Sequence, residues 1–147
     1  QRMASQPIEI LLVEDNEDDI VLIREAFADA RLVNVMHVVR DGEEALAYLH
    51  KRHPYEHAPT PGLVLLDINM PKKDGFQVLE DMKHNGMLRT VPVIMLTTSD
   101  REEDIVRSYM GGASSYVRKP VAFDAFCELA DRFALYWALV ARLPGKG

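Results

Sequence analysis

Short apolar runs recur along this chain, and each one stops at polar or charged residues. Ile8-Glu9-Ile10-Leu11-Leu12-Val13 ends in Glu14-Asp15, and Leu63-Val64-Leu65-Leu66 ends in Asp67. Val91-Pro92-Val93-Ile94-Met95-Leu96 runs into Thr97-Thr98-Ser99, and Ser115-Tyr116-Val117-Arg118 reaches Lys119-Pro120. A continuous apolar run bounded by turn residues reads as a strand buried on both faces. Val35 to Val39 reads as one more short strand.

Between these runs the period changes to that of a helix. Glu17 to Asp29 puts Ile20, Ile23 (or Leu22), Ala26 and Phe27 on one face. Asp41 can cap the next helix, with Glu44 completing a capping box ahead of Ala45, Leu46 and Leu49. Asp74-Gly75 opens a helix carrying Phe76, Val78, Leu79 and Met82 that fades around Asn85-Gly86. Ser99 or Asp100 caps a helix to about Met110, stopped by Gly111-Gly112. A long final helix runs from Phe123 to Leu143. Strands alternating with helices imply a doubly wound parallel α/β sheet with right-handed crossovers. Such folds place their sites at the carboxyl ends of the strands. Here that rim collects Glu14, Asp15 and Asp67, the hydroxyl of Thr97 and the ammonium of Lys119.

Composition narrows the function classes. The 147 residues suit one domain, and 48% hydrophobic with 27% charged residues is ordinary for a soluble globular protein. A net charge of −6 argues against nucleic-acid binding, whose electrostatic footprint is basic, and against a polybasic membrane anchor. No stretch approaches the roughly 18 apolar residues of a membrane span, and no signal peptide opens the chain. The single cysteine, Cys127, cannot form an internal disulfide, which fits a cytoplasmic protein. Gln1 and Arg2 precede Met3, the expected native start. The segment from His50 to Gly62 is long for a helix-to-strand loop and holds Pro54, Pro59 and Pro61. Its histidines, His50, His53 and His57, lack a partnering cysteine or carboxylate pair, so a solvated loop is expected rather than a metal site.

Glu14-Asp15, Asp67, Thr97 and Lys119-Pro120 occur in order, each at a strand end, and in this the chain resembles the response-regulator receiver domains of two-component signalling. The resemblance runs from about Ile8 to Leu143. It implies a flavodoxin-like sheet of five strands in the order 2-1-3-4-5, with five helices and an extended C-terminal helix. Residues 8–143 would form the receiver domain, with 1–7 a disordered or expression-derived tail and 144–147 a second tail. Asp67 would accept a phosphoryl group from a sensor histidine kinase in a Mg²⁺-dependent transfer. Glu14, Asp15, Asp67 and the backbone carbonyl of Asn69 would hold the ion. Thr97 and Lys119 would contact the phosphoryl oxygens, with the Lys119–Pro120 bond cis, as the family holds it. Tyr116 matches the family's aromatic switch residue, and Asn69 and Ser99 occupy the positions that tune phosphoryl lifetime. The opening Val13-Glu14-Asp15-Asn16-Glu17-Asp18-Asp19, the proline-containing loop and the tail from Trp137 to Pro144 look most like single-domain regulators paired with phytochrome kinases. The protein is therefore expected to be no enzyme beyond its own phosphorylation and dephosphorylation.

Two rivals remain in view. A relay to a histidine phosphotransfer protein would use the same site. A phosphatase of the haloacid dehalogenase type also uses a strand-end aspartate with Mg²⁺, but needs an acid two residues on, where this chain has Asn69, which cannot exchange a proton in that role. From Phe133 to Leu143 only Arg142 is charged. A helix apolar all round must be covered all round. A homodimer through Leu135, Tyr136, Trp137 and Leu139 is expected.

Overall fold

A computed structural model describes residues 7–30, 33–70, 72–98, 101–119 and 122–141, without the side chains of Glu102, Val140 and Ala141. Most of both expected tails, together with Ser99, Asp100, Pro120 and Arg142, lies outside them. The elements are β1 (Ile8–Val13), α1 (Glu17–Ala28), β2 (Asn34–Val39), α2 (Gly42–Leu49), β3 (Leu63–Asp67), α3 (Gly75–Lys83), β4 (Val93–Thr97), α4 (Glu102–Met110), β5 (Ser115–Arg118) and α5 (Phe123–Ala141). The strands form one parallel sheet in the order β2-β1-β3-β4-β5. The expected flavodoxin-like fold is present.

Both faces of the central strands are covered, which is why they read as unbroken apolar runs. Ile8, Ile10, Leu12, Leu63, Leu65 and Leu96 pack against Ile20, Ile23, Ala26 and Phe27 of α1 and Phe126, Ala130 and Phe133 of α5. The alternate residues Leu11, Val13, Val64, Leu66, Val93 and Met95 meet Ala45, Leu46, Phe76, Val78, Leu79 and Met82 of α2 and α3. Each fully buried aliphatic or aromatic side chain contributes about 1.5–3 kcal/mol, so the two layers supply most of the driving force.

Three local expectations need correction. Asp41 does accept the Glu44 N–H at 2.7 Å. The carboxylate of Glu44 does not return to Asp41, however; it accepts the Arg40 N–H at 3.0 Å and the hydroxyl of Tyr55. The proline-containing loop thus takes the oxygen that a capping box would have used. The reciprocal box occurs instead at α3, between Asp74 and Gln77. α4 starts later than expected, with Arg101 as its cap residue and no side-chain cap bond. β4 starts at Val93, later than the apolar run suggests, with the Pro92 carbonyl accepting the Val64 N–H at the first β3–β4 pair.

The expected dimer surface also divides. Leu135, Tyr136 and Leu139 are exposed by 66%, 47% and 56%. Trp137 instead turns back onto its own domain, stacked on Phe133 at 6.2 Å between ring centroids and packed against the α1–α5 layer. Gly62 makes this possible, since a Cβ there would lie 3.0 Å from the Trp137 ring. Trp137 is therefore partly buried against its own domain, unlike its three exposed neighbours.

The loop before β3 is tied down by Tyr55, whose ring lies 5.2 Å from that of Tyr48. Its histidines take separate partners: His50 meets Asp81 at 2.5 Å and His53 meets Glu56 at 3.0 Å. No metal-type cluster among the described residues includes them. The Tyr48 hydroxyl is buried without a hydrogen-bond partner. Tyr48→Phe should therefore leave stability unchanged or raise it by up to about 1 kcal/mol, whereas Tyr55→Phe should lower it by about 1 kcal/mol. Burial, chiefly, pushes both phenols from the usual 10.0 up to about 12; Glu9 adds to this at Tyr48, and the Glu44 hydrogen bond at Tyr55. Their contribution is complete below pH 10 and is lost as pH rises through about 12. Urea titrations of both variants across this window should show a shallower alkaline loss than the native chain. An undiminished loss would assign it to other groups.

Candidate functional site

The sheet register decides which side chains share the carboxyl rim. Val13 pairs with Leu66, so Glu14, just beyond β1, comes level with Asp67 at the end of β3. Asp67 pairs with Leu96, Thr97 pairs with Arg118, and the Lys119 N–H donates to the Thr97 carbonyl at 2.6 Å. The chain order reverses between β1 and β3, the switch point where open α/β sheets bind ligands.

Asp67 is only 4% exposed and held from two sides. Its Oδ1 accepts the Asn69 N–H at 3.0 Å, and its Oδ2 accepts from Lys119 Nζ at 3.2 Å. The turn behind it is tight, with the Gly75 N–H donating to the Ile68 carbonyl at 2.9 Å. A Cβ on Gly75 would stand 2.6 Å from the Asp67 carbonyl oxygen, so only glycine lets α3 start this close to the strand end.

Glu14 is fully buried. Its Oε2 accepts the Asn16 N–H at 3.1 Å, while Oε1 lies 2.7 Å from Lys119 Nζ. That second approach is an ion pair whose angle is poor for a hydrogen bond, so Oε1 has no well-aligned donor. Burial is the main cause that lifts the Glu14 carboxyl to about 7; the Asp67 charge adds to it, while Lys119 and the Asn16 N–H pull the other way. For Lys119, burial alone would weaken the proton's hold. The carboxylates of Glu14 and Asp19, with Asp67 behind them, reverse this and hold the ammonium above its ordinary range.

Glu14, Asp15 and Asp67 each present an oxygen within 4.8 Å of the others. Two buried acids, one of them Glu14 with an oxygen that no well-aligned donor meets, and one exposed acid make a donor set that fits a hard divalent cation, which prefers oxygen ligands and retained water. Asn69 ties the rim together, its side-chain amide donating to Thr97 Oγ1 at 3.2 Å. Thus Glu14, Asp15, Asp67, Asn69, Thr97 and Lys119 converge as the sequence predicted. Tyr116 lies in β5, paired with Met95 and partly buried against the α2–α3 layer. Ser99 and Pro120, and with it the Lys119–Pro120 bond, lie outside the described residues.

Asp19 was missed. Its Oδ2 lies 2.9 Å from Lys119 Nζ, and its side chain is 21% exposed. Acids in a first helical turn are expected from the helix dipole alone, so Glu17, Asp18 and Asp19 look equivalent in sequence. Only the placement of α1 shows that one of them faces the lysine.

Removing Lys119 would leave Glu14 and Asp67 buried together without a cation. Lys119→Met should lower the stability of the metal-free protein by about 3–5 kcal/mol, read from urea midpoints, and a divalent cation should restore most of it. The same variant should bind Mn²⁺ more tightly than the native chain by calorimetry. Weaker binding would show that the ammonium does not compete with the ion.

The model of the response regulator receiver domain matches residues 10–131. Response regulator Rcp1 of Synechocystis sp. is 36% identical over 141 residues, which cover 96% of each chain. The crystal structure of its Mn²⁺-bound form superposes with a TM-score of 0.81, covering 95% of this chain and all of that one. The phosphorylated cyanobacterial phytochrome response regulator RcpA is 39% identical and superposes at 0.82, again covering 95% of this chain and all of that one. With a matching family model over most of its length and relatives aligned nearly end to end, this chain belongs to the response-regulator receiver-domain family.

Proposed function

We propose that Asp67 is the phosphoacceptor of a phosphorylation-controlled switch, charged by a sensor histidine kinase with Mg²⁺ as the cofactor. The observation that carries this is the state of Asp67 itself. It is buried at the strand end, with one oxygen held by a backbone N–H and the other by an ammonium, within 4.8 Å of the cation-binding oxygens of Glu14 and Asp15. An Asp67 oxygen attacks phosphorus as the bond to the donor imidazole breaks, and that ring keeps the electron pair. The product is a mixed anhydride.

Two anions meet in this step, and the transition state spreads negative charge over the equatorial oxygens. Mg²⁺, when bound, would neutralise part of this charge. Glu14, Asp15, Asp67 and the Asn69 carbonyl would hold it. Lys119 offers a point charge and Thr97 a hydroxyl to two phosphoryl oxygens. Hydrogen bonds to charged groups contribute roughly 1.5–3 kcal/mol each, so two give about 3–6 kcal/mol. Moving an equilibrium from 1:99 to 99:1 takes about 5.5 kcal/mol. The pair supports a near-complete switch only at the top of its range, and partner binding supplies the remainder. In this reading Tyr116 moves with Thr97, and Asn69 and Ser99 set the phosphoryl lifetime.

RcpA is a phytochrome response regulator whose structure is that of the phosphorylated form, and this likeness supports a phytochrome as the kinase partner. The phosphatase alternative is disfavoured by Asn69, whose side chain is engaged in donating to Thr97. A homodimer through the exposed Leu135, Tyr136 and Leu139 of α5 completes the proposal, with Trp137 partly buried beside them against its own domain.

Incubation with acetyl phosphate and Mg²⁺ should label the native chain in an acid-stable, hydroxylamine-labile form. Asp67→Asn should take up no label; full labelling of that variant would move the phosphoacceptor elsewhere. Sedimentation of the unphosphorylated protein should show a dimer that Leu135→Glu with Leu139→Glu converts to a monomer. A native monomer at tens of micromolar would exclude a constitutive dimer on this face.

A further inference from the structure

We propose that Asp19 is a positioning residue of the cation site: it shares the Lys119 ammonium with Glu14 and Asp67 and so weakens the lysine's hold on the oxygens that a divalent cation would use. This rests on the reading of Glu14, Asp15 and Asp67 as the ion's ligands.

Lys119 Nζ has three hydrogens and three carboxylate neighbours, Glu14 Oε1 at 2.7 Å, Asp19 Oδ2 at 2.9 Å and Asp67 Oδ2 at 3.2 Å. Two of these acids belong to the cation cluster; Asp19 does not. Lysine and a divalent ion therefore compete for Glu14 and Asp67, and Asp19 is the acid that can hold the lysine without blocking the ion. It comes from a different element, the first turn of α1, and its backbone is fixed there because its N–H donates to the Asn16 side chain at 2.9 Å. The Asn16 N–H in turn donates to Glu14, so one short segment sets both the ligand and the residue that relieves it of the lysine. The lysine is only 9% exposed, and solvent is a poor substitute for a missing carboxylate there. Without the Asp19 charge, the ammonium would settle onto Glu14 and Asp67 and oppose the ion.

Calorimetric titration with Mn²⁺ tests this. Asp19→Asn keeps the side-chain shape and leaves the Asn16 cap, which uses only the Asp19 backbone, in place. It should weaken Mn²⁺ binding about tenfold, within the range of coupling found for groups in one ion-pair network. Asp18→Asn removes the same charge from the same turn on an exposed side chain and should change affinity less than about twofold. Asp19→Glu should recover most of the native affinity. In a Lys119→Met background the effect of Asp19→Asn should shrink to less than about twofold, because the competitor is gone. Equal losses in Asp18→Asn and Asp19→Asn, or an undiminished loss without Lys119, would overturn the positioning role in favour of a general field effect. Native affinity in Asp19→Asn would overturn it outright. Asp67→Asn separates the two readings, since unchanged Mn²⁺ binding in that variant would remove the proposed cation site itself. Should Lys119→Met fail to fold, the comparison of Asp19→Asn, Asp18→Asn and Asp19→Glu decides alone.

Discussion

Lys119 stands among more carboxylates than it can neutralise, and the arrangement of the rim follows from that imbalance. Glu14 and Asp67 are buried, and burying a carboxylate without a counterion costs far more than one hydrogen bond returns. The ammonium makes their burial tolerable, yet it cannot satisfy every lone pair, and Glu14 Oε1 remains close to it but unaligned. A site with more carboxylates than cations favours binding a further cation. The Lys119 position depends in turn on the β4–β5 ladder, through the bond from its N–H to the Thr97 carbonyl. The sheet register is thus an electrostatic device as well as a packing one.

Strands buried on both faces were the easiest elements to read, because continuous apolar runs such as Leu63 to Leu66 have few other uses. The helix faces of α1 and α3 were legible for a similar reason, since Ile20, Ile23, Ala26 and Phe27 fit one helical stripe and are buried together. The rim residues followed from strand ends. What the sequence did not disclose were choices between competing partners of equal chemistry. Glu44 could cap Asp41 or reach Arg40 and Tyr55, and the loop decides. Three acids share one turn of α1, and the helix azimuth decides which meets Lys119. Trp137 could face a partner or its own domain, and the missing Cβ at Gly62 leaves room for the ring on its own domain. Each is set by tertiary geometry over a few ångströms.

The start of α3 shows how little tolerance the site has. Gly75 admits the helix to within contact of the Asp67 carbonyl, and Asp74 and Gln77 close the reciprocal cap that fixes its first turn. Next to it, α4 begins at Glu102, and its cap residue Arg101 makes no side-chain cap bond. The two helices are thus started differently: a reciprocal cap fixes α3, while Arg101 reaches forward to Asp104 within the first turn of α4.

Trp137 is the chain's one tryptophan, and it sits against Gly62, Ile8 and Phe133 at the far reach of α5. Intrinsic indole fluorescence from this protein is therefore a gauge of how the last turns of α5 lie on the domain. A change in emission on adding a cation or a phosphodonor would register movement of the C-terminal helix, a signal carried across the molecule, while chemistry confined to the acidic rim would leave the emission untouched.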